Sequence, residues 1–253
     1  MNTVLNRIYG DYLMPSRLGQ YGALLQQAKD AGYAQLSLRA FMAAPSARVL
    51  VHRHDIDSDL RTARKMFDME TALGVTASYY FRLCTLDRGF MRAIEAYGSE
   101  ASYHFEEAAD FAKRHGIRDG AALRRRFPEV RACFAANCAR VSALVGAPLT
   151  TVASHGDFVN RRLQVINHEL LQDEALRAAC GIVWEAYDAE VLTRFDLYIS
   201  DKPHPRYYDP VSPFTALGRY RRICLLTHPV QWETNWGAST ASSLRRLYDE
   251  LSW

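Results

Sequence analysis

A chain of 253 residues, 49% hydrophobic and 23% charged, can bury a sizeable core and suits one soluble domain of the length at which α/β barrels are common. Net charge is +3 with a pI near 8.6, and the arginine runs at 124–126, 161–162, 221–222 and 245–246 are scattered without interleaved aromatics, which argues against nucleic-acid binding. Five cysteines without CxxC spacing argue against a disulfide framework or a cysteine-zinc knuckle; "MNTVLNRIYGDYLMPSR" carries no signal pattern and no apolar run reaches membrane-spanning length, so a cytoplasmic protein with no membrane span is expected.

In chain order, a helical pattern over 16–31 precedes the strand candidate "RVLVHRHD" (48–55). A helix follows, with Ser58 or Asp59 able to cap its start, Leu60, Ala63, Met66, Phe67, Met69 and Leu73 at helical spacing, and Gly74 closing it. Strands are predicted at 76–83, 100–105, 149–156, 181–187, 195–201 and 222–229, with helices over 106–115, 119–145, 162–179 and 238–251. No repeat, linker or low-complexity tract divides the chain, so residues 1–253 are read as a single domain. Several strands are nearly continuous apolar runs, as strands covered on both faces should be. The alternation predicts a parallel sheet with helices outside, best closed or nearly closed into a barrel, with a doubly wound open sheet as the alternative.

The polar exceptions fall where those strands end. In "VLVHRHDIDSD", Asp55 and Asp57 lie two apart and share a face, so one carboxylate can bind a cation while the other handles protons; a helix cap plus a surface acid is the plainer reading. His52 and His54 point to the other face and suit structural roles. Taken singly, His104 in "SYHFEEA" passes for a structural residue and His155 in "ASHGDF" reads equally as ligand or turn residue, but with Asp57 they make a carboxylate–imidazole set that suits zinc. His228 in "LLTHP" is a candidate general acid, and Asp201 in "YISDKPHP" can orient it or merely start a turn. His115, His168 and His204 receive no role. Ser154, His155 and Asp157 alternate direction and form no catalytic triad, and no GxSxG elbow, Walker loop or GxGxxG exists.

"RHDID", a helix, and "GVTASYYFRL", continued in order by "YHFEEA", "ASHGD", "YISD" and "LLTHPVQW", resemble the polysaccharide deacetylase (NodB-homology) superfamily, in the branch whose first motif reads HD-V/I-D. The resemblance spans roughly residues 48–232. It implies a distorted (β/α)7-type barrel holding one divalent metal, zinc or else nickel or cobalt, that acts on an N-acyl carbonyl. Carried over, Asp55 is the base, Asp57 the metal carboxylate, His104 a metal histidine and His228 the acid of a leucine-x-histidine motif with Leu226. The family's second metal histidine falls at Ala108, and its arginine–proline motif is replaced by "SHGDF"; His155 is therefore expected as the third ligand, with Glu106 in reserve. Because Ile56 separates the aspartates, which of the two meets the metal stays open, and no acid-tuning tryptophan motif is evident around Asp201.

The resemblance implies a deacetylase-like amide hydrolase acting on an N-acylated sugar or sugar-linked precursor in surface polysaccharide, such as lipopolysaccharide, biosynthesis, alongside partner enzymes of glycan assembly. A catalytically silent barrel that binds a glycan intermediate or a partner enzyme is the alternative, favoured by Ala108 and by Trp232 and Trp236 as sugar-stacking candidates. A related C–N bond cleavage is a third reading.

Overall fold

The computed structural model describes residues 3–253. Among these, nine strands form one curled, mostly parallel sheet in a mixed α/β architecture. They are β1 (Ala34–Leu36), β2 (Val49–Ile56), β3 (Ser78–Phe81), β4 (Glu100–Phe105), β5 (Thr151–Ser154), β6 (Trp184–Glu185), β7 (Leu197–Asp201), β8 (Tyr208–Asp209) and β9 (Arg222–Thr227). Their order is β6-β5-β4-β3-β2-β9-β7-β8, with β1 beside the start of β2. Among the described residues only the β7–β8 pair is antiparallel. Among the described residues no helix is long and apolar enough to cross a membrane.

Every residue of β2 is buried, and alternation decides what each meets. Val49 and Val51 face the concave side with Tyr80, Ala153, Ala186 and Cys224. Leu50 faces outward with Ile199, Ile223 and Leu225, against Leu24 and Ala28 of the helix Leu18–Asp30. On the far side, Tyr79, Phe81, Tyr103 and Phe105 pack on Phe90, Ile94 and Phe134 from the helices Arg88–Tyr97 and Phe127–Val145. Each fully buried side chain of this size contributes about 1.5–3 kcal/mol of hydrophobic stabilisation. His52 and His54 lie on the convex face, as alternation requires. His54 bonds to Thr227 (2.5 Å) and Glu70 (2.7 Å), and Glu70 also accepts from Tyr21 and Tyr79.

The sheet does not close. β6 and β8 are its two ends, and among the described residues no backbone pairing joins β6 to β7 or β8 across the seam. Side chains bridge it instead: the Arg53 guanidinium lies 4.3 Å from the centre of the Tyr187 ring, and its Nη1 donates to Tyr198 Oη at 3.2 Å.

Two predicted helices are broken. Residues 119–145 form Gly120–Arg125 and Phe127–Val145, because Pro128 lacks an N–H and is tolerated only in a first turn. Residues 162–179 divide into Phe158–Leu163, a 3-10 segment Asn167–Gln172, and Glu174–Cys180, with Gln164 at φ 52° ending the first. Strands β1 and β8 and the helices Leu38–Ala43 and Arg88–Tyr97 were not anticipated.

Candidate metal centre and active site

Six titratable side chains from the ends of five strands converge. Asp55 comes from β2 and Asp57 from the residue after it, His104 from β4, His155 from the residue after β5, Asp201 from β7 and His228 from the residue after β9. Asp55, Asp57, His104, His155 and His228 line one cavity of about 360 Å³, with Tyr187 and Tyr198 on its wall and Asp201 behind His228.

The two aspartates are not equivalent. Asp55 is bound at both oxygens by Arg53, from Nε to Oδ1 at 2.9 Å and from Nη2 to Oδ2 at 2.8 Å. Burial alone would raise the Asp55 carboxyl, but Arg53, with His104 and His228, holds it below the ordinary aspartate value. Asp57 has no such partner, and its buried Oδ1 makes no hydrogen bond. That oxygen lies 3.4 Å from His104 Nε2 and 3.7 Å from His155 Nε2, close enough for attraction but not aligned for bonding. Against its burial, His155 and His104, with His228, hold the Asp57 carboxyl far below its usual range.

His104 Nδ1 is 2.9 Å from the Ala153 carbonyl, which directs Nε2 into the cavity. Burial disfavours its charged form, yet Asp55 and Asp57 raise it overall, so the cluster draws positive charge. His155 is set by its backbone: its N–H donates to Phe105 (2.8 Å) and its carbonyl accepts from the side chain of Asn167 (2.6 Å).

Among the described residues three groups have the composition and spacing of a cation site: Asp57, His104 and His155; Glu106, His155 and Asp157; and His168, Glu185 and Asp188. Their other bonds separate them. Glu106 is clamped at both oxygens by Arg82, and Asp157 caps the helix Phe158–Leu163 and meets Lys113. Glu185 accepts from Ser154 N, Tyr187 N and His168, while Asp188 is held at both oxygens by Arg177. Only the first group keeps an unpartnered carboxylate oxygen, and its donors fit a divalent ion of the zinc kind. The reserve position of Glu106 is thus taken by an ion pair. The position of Ala108 is fully buried, with its N–H on Asn167.

Across the cavity, His228 Nδ1 lies 2.6 Å from Asp201 Oδ1, and Asp201 Oδ2 accepts from His228 N (2.7 Å) and Trp232 Nε1 (3.0 Å). Burial would lower His228, but Asp201, with Asp57 and Asp55, raises it to about 9. The shift favours its imidazolium form near neutral pH.

Sequence reading missed Arg53, although it shares the parity of Asp55 and Asp57, and it missed Tyr187 and Tyr198. Trp232 is a correction: it is fully buried and clamps Asp201, so it offers no face to a sugar, while Trp236 is two-thirds exposed and lies outside the cavity lining. No protein-family model matches the chain, and no curated protein matches it.

Proposed function

We propose that this protein is a metal-dependent amide hydrolase of the polysaccharide-deacetylase kind, its curled sheet a distorted (β/α)7-type barrel, acting on an N-acylated sugar or sugar-linked precursor of a surface polysaccharide. The carrying observation is the contrast between two aspartates at one strand end: Asp55 committed to Arg53, Asp57 left with a bare oxygen beside two imidazoles. Asp57, His104 and His155 would hold the ion. A divalent ion bound there would polarise the scissile carbonyl and acidify a water.

The remaining work falls to the chain's own groups. Asp55 accepts the proton of the attacking water as its oxygen adds to the carbonyl carbon. Arg53 keeps that carboxylate ionised and fixed, at the cost of basicity, so it serves only for a water already made acidic. His228 protonates the nitrogen as the carbon–nitrogen bond breaks, which leaves a carboxylate and an amine. Asp201 keeps the His228 imidazolium charged, and Trp232 holds Asp201.

The test pairs metal content with turnover. Purified protein should carry one equivalent of zinc, nickel or cobalt, lost in Asp57→Ala, His104→Ala and His155→Ala, and should release carboxylate from a panel of N-acylated sugars. Metal retained with no release from any member would leave a sugar-binding barrel as the better reading.

A further inference from the structure

A second chamber of about 460 Å³, with mostly apolar walls, adjoins the cavity and shares Ser154, His155, Gly156 and Tyr187 with it. Its far wall carries Ile166, an aliphatic side chain left 56% exposed. Three of its polar side chains, Asn160, Asn167 and His168, are committed to protein partners. Asn167 accepts from Ala108 N and Ala109 N, and donates to the His155 carbonyl and to Asn160 Oδ1. Asn160 also accepts from Asp157 N and donates to the Val165 carbonyl. His168 Nδ1 is 2.7 Å from Glu185 Oε2, and its Nε2 lies 3.7 Å from Asp188. A sugar ring needs many hydrogen bonds, and this wall has few to give; a hydrocarbon chain needs none.

We infer that the chamber receives the hydrocarbon tail of the substrate's N-acyl group, and that this group is longer than acetyl. The inference rests on the amide-hydrolase reading. In that reaction the nitrogen must face His228, at the end of β9, and the carbonyl must face Asp57, His104 and His155. The chamber is lined by Ser154 at the end of β5 and by residues that follow β5 and β6, strands that stand well apart from β9 in the sheet order, and His155 is common to both cavities. An acyl substituent continuing past the carbonyl therefore enters it. A methyl group, about the size of a water at roughly 30 Å³, would leave it almost empty.

The test uses the full-length, zinc-loaded protein and glucosamine carrying acetyl, butanoyl, hexanoyl or octanoyl groups. The expected result is that kcat/KM rises by about fourfold per methylene until the chamber is filled, as about 0.8 kcal/mol per buried methylene implies. Ile166→Asp, a surface change, should flatten that rise. A profile flat in acyl length or best for acetyl overturns the inference while leaving the hydrolase reading intact. So does a gain that comes only from lengthening the sugar, which would place the glycan in the chamber. If no amide is cleaved, the free carboxylates decide by calorimetry: octanoate bound at least about tenfold tighter than acetate, and weakened by Ile166→Asp, supports the chamber. Equal affinities overturn it.

Discussion

Arg53 and Asp55 are two residues apart on β2, and both side chains are almost inaccessible to solvent. Removing one partner leaves an uncompensated buried charge, which costs about 3–5 kcal/mol. Arg53→Met should lower stability by about that amount in urea denaturation, and adding Asp55→Leu should restore most of it. Recovery absent from the double variant would mean that Arg53 acts mainly through the seam tyrosines. His228 gives a prediction by titration. Its folded value is raised to about 9 from an ordinary 6.5, so the charged pair with Asp201 contributes fully below pH 6.5 and is lost as pH rises through about 9. NMR titration of metal-free protein should find His228 near 9 in the parent and at least about one unit lower in Asp201→Asn. An unchanged value would show that Asp201 does not charge the imidazole.

The end of β2 and the start of the next helix are one device at the scale of elements. Asp59 caps Leu60–Leu73 by accepting from Thr62 N (3.1 Å) and Thr62 Oγ1 (2.6 Å), and it accepts from Asn235 at 2.6 Å, tying in the cap of the C-terminal helix. Asp59→Ala should therefore cost about 1–2 kcal/mol, read as a lower denaturant midpoint. A loss well below that range would mean solvent replaces the cap. That helix was legible because cap, spacing and αL Gly74 all agree. The helix Arg88–Tyr97 offered similar signals, with Asp87 capping it and Phe90, Met91 and Ile94 buried at helical spacing, yet it was passed over. Strands β1 and β8 are too short for any period to register.

For the whole molecule, the curled sheet brings to one cavity side chains that stand up to 173 residues apart, from Asp55 to His228. An ion bound there would link three strand ends, so it should stabilise the fold by mass action: about 2.7 kcal/mol at a hundredfold excess over Kd. Chelation should then lower Tm by about 5–10 °C, and Asp57→Ala, which cannot hold the ion, should lose that sensitivity. Because His104 must shed a proton to become a ligand, metal affinity should fall as pH is lowered. A chelator-insensitive Tm in the parent would count against the centre.

The sequence alone determined which residues stand at strand ends and which share a face, since alternation along a strand needs only local geometry; Asp55 with Asp57, and His52 with His54 opposite, follow from it. It also marked His104, His155 and His228 as exceptions to apolar runs. Tertiary structure alone decided what those exceptions meet. That Asp55 is clamped by Arg53, that Asp57 keeps a bare oxygen, that Arg82 has taken Glu106 and that Trp232 lies buried on Asp201 all depend on pairings across the sheet and its loops. The open seam and the chamber behind His155 belong to the same class. They arise from how far the sheet curls and from where buried Asn167 and Glu185 anchor their loops, and neither quantity has a local signature in the chain.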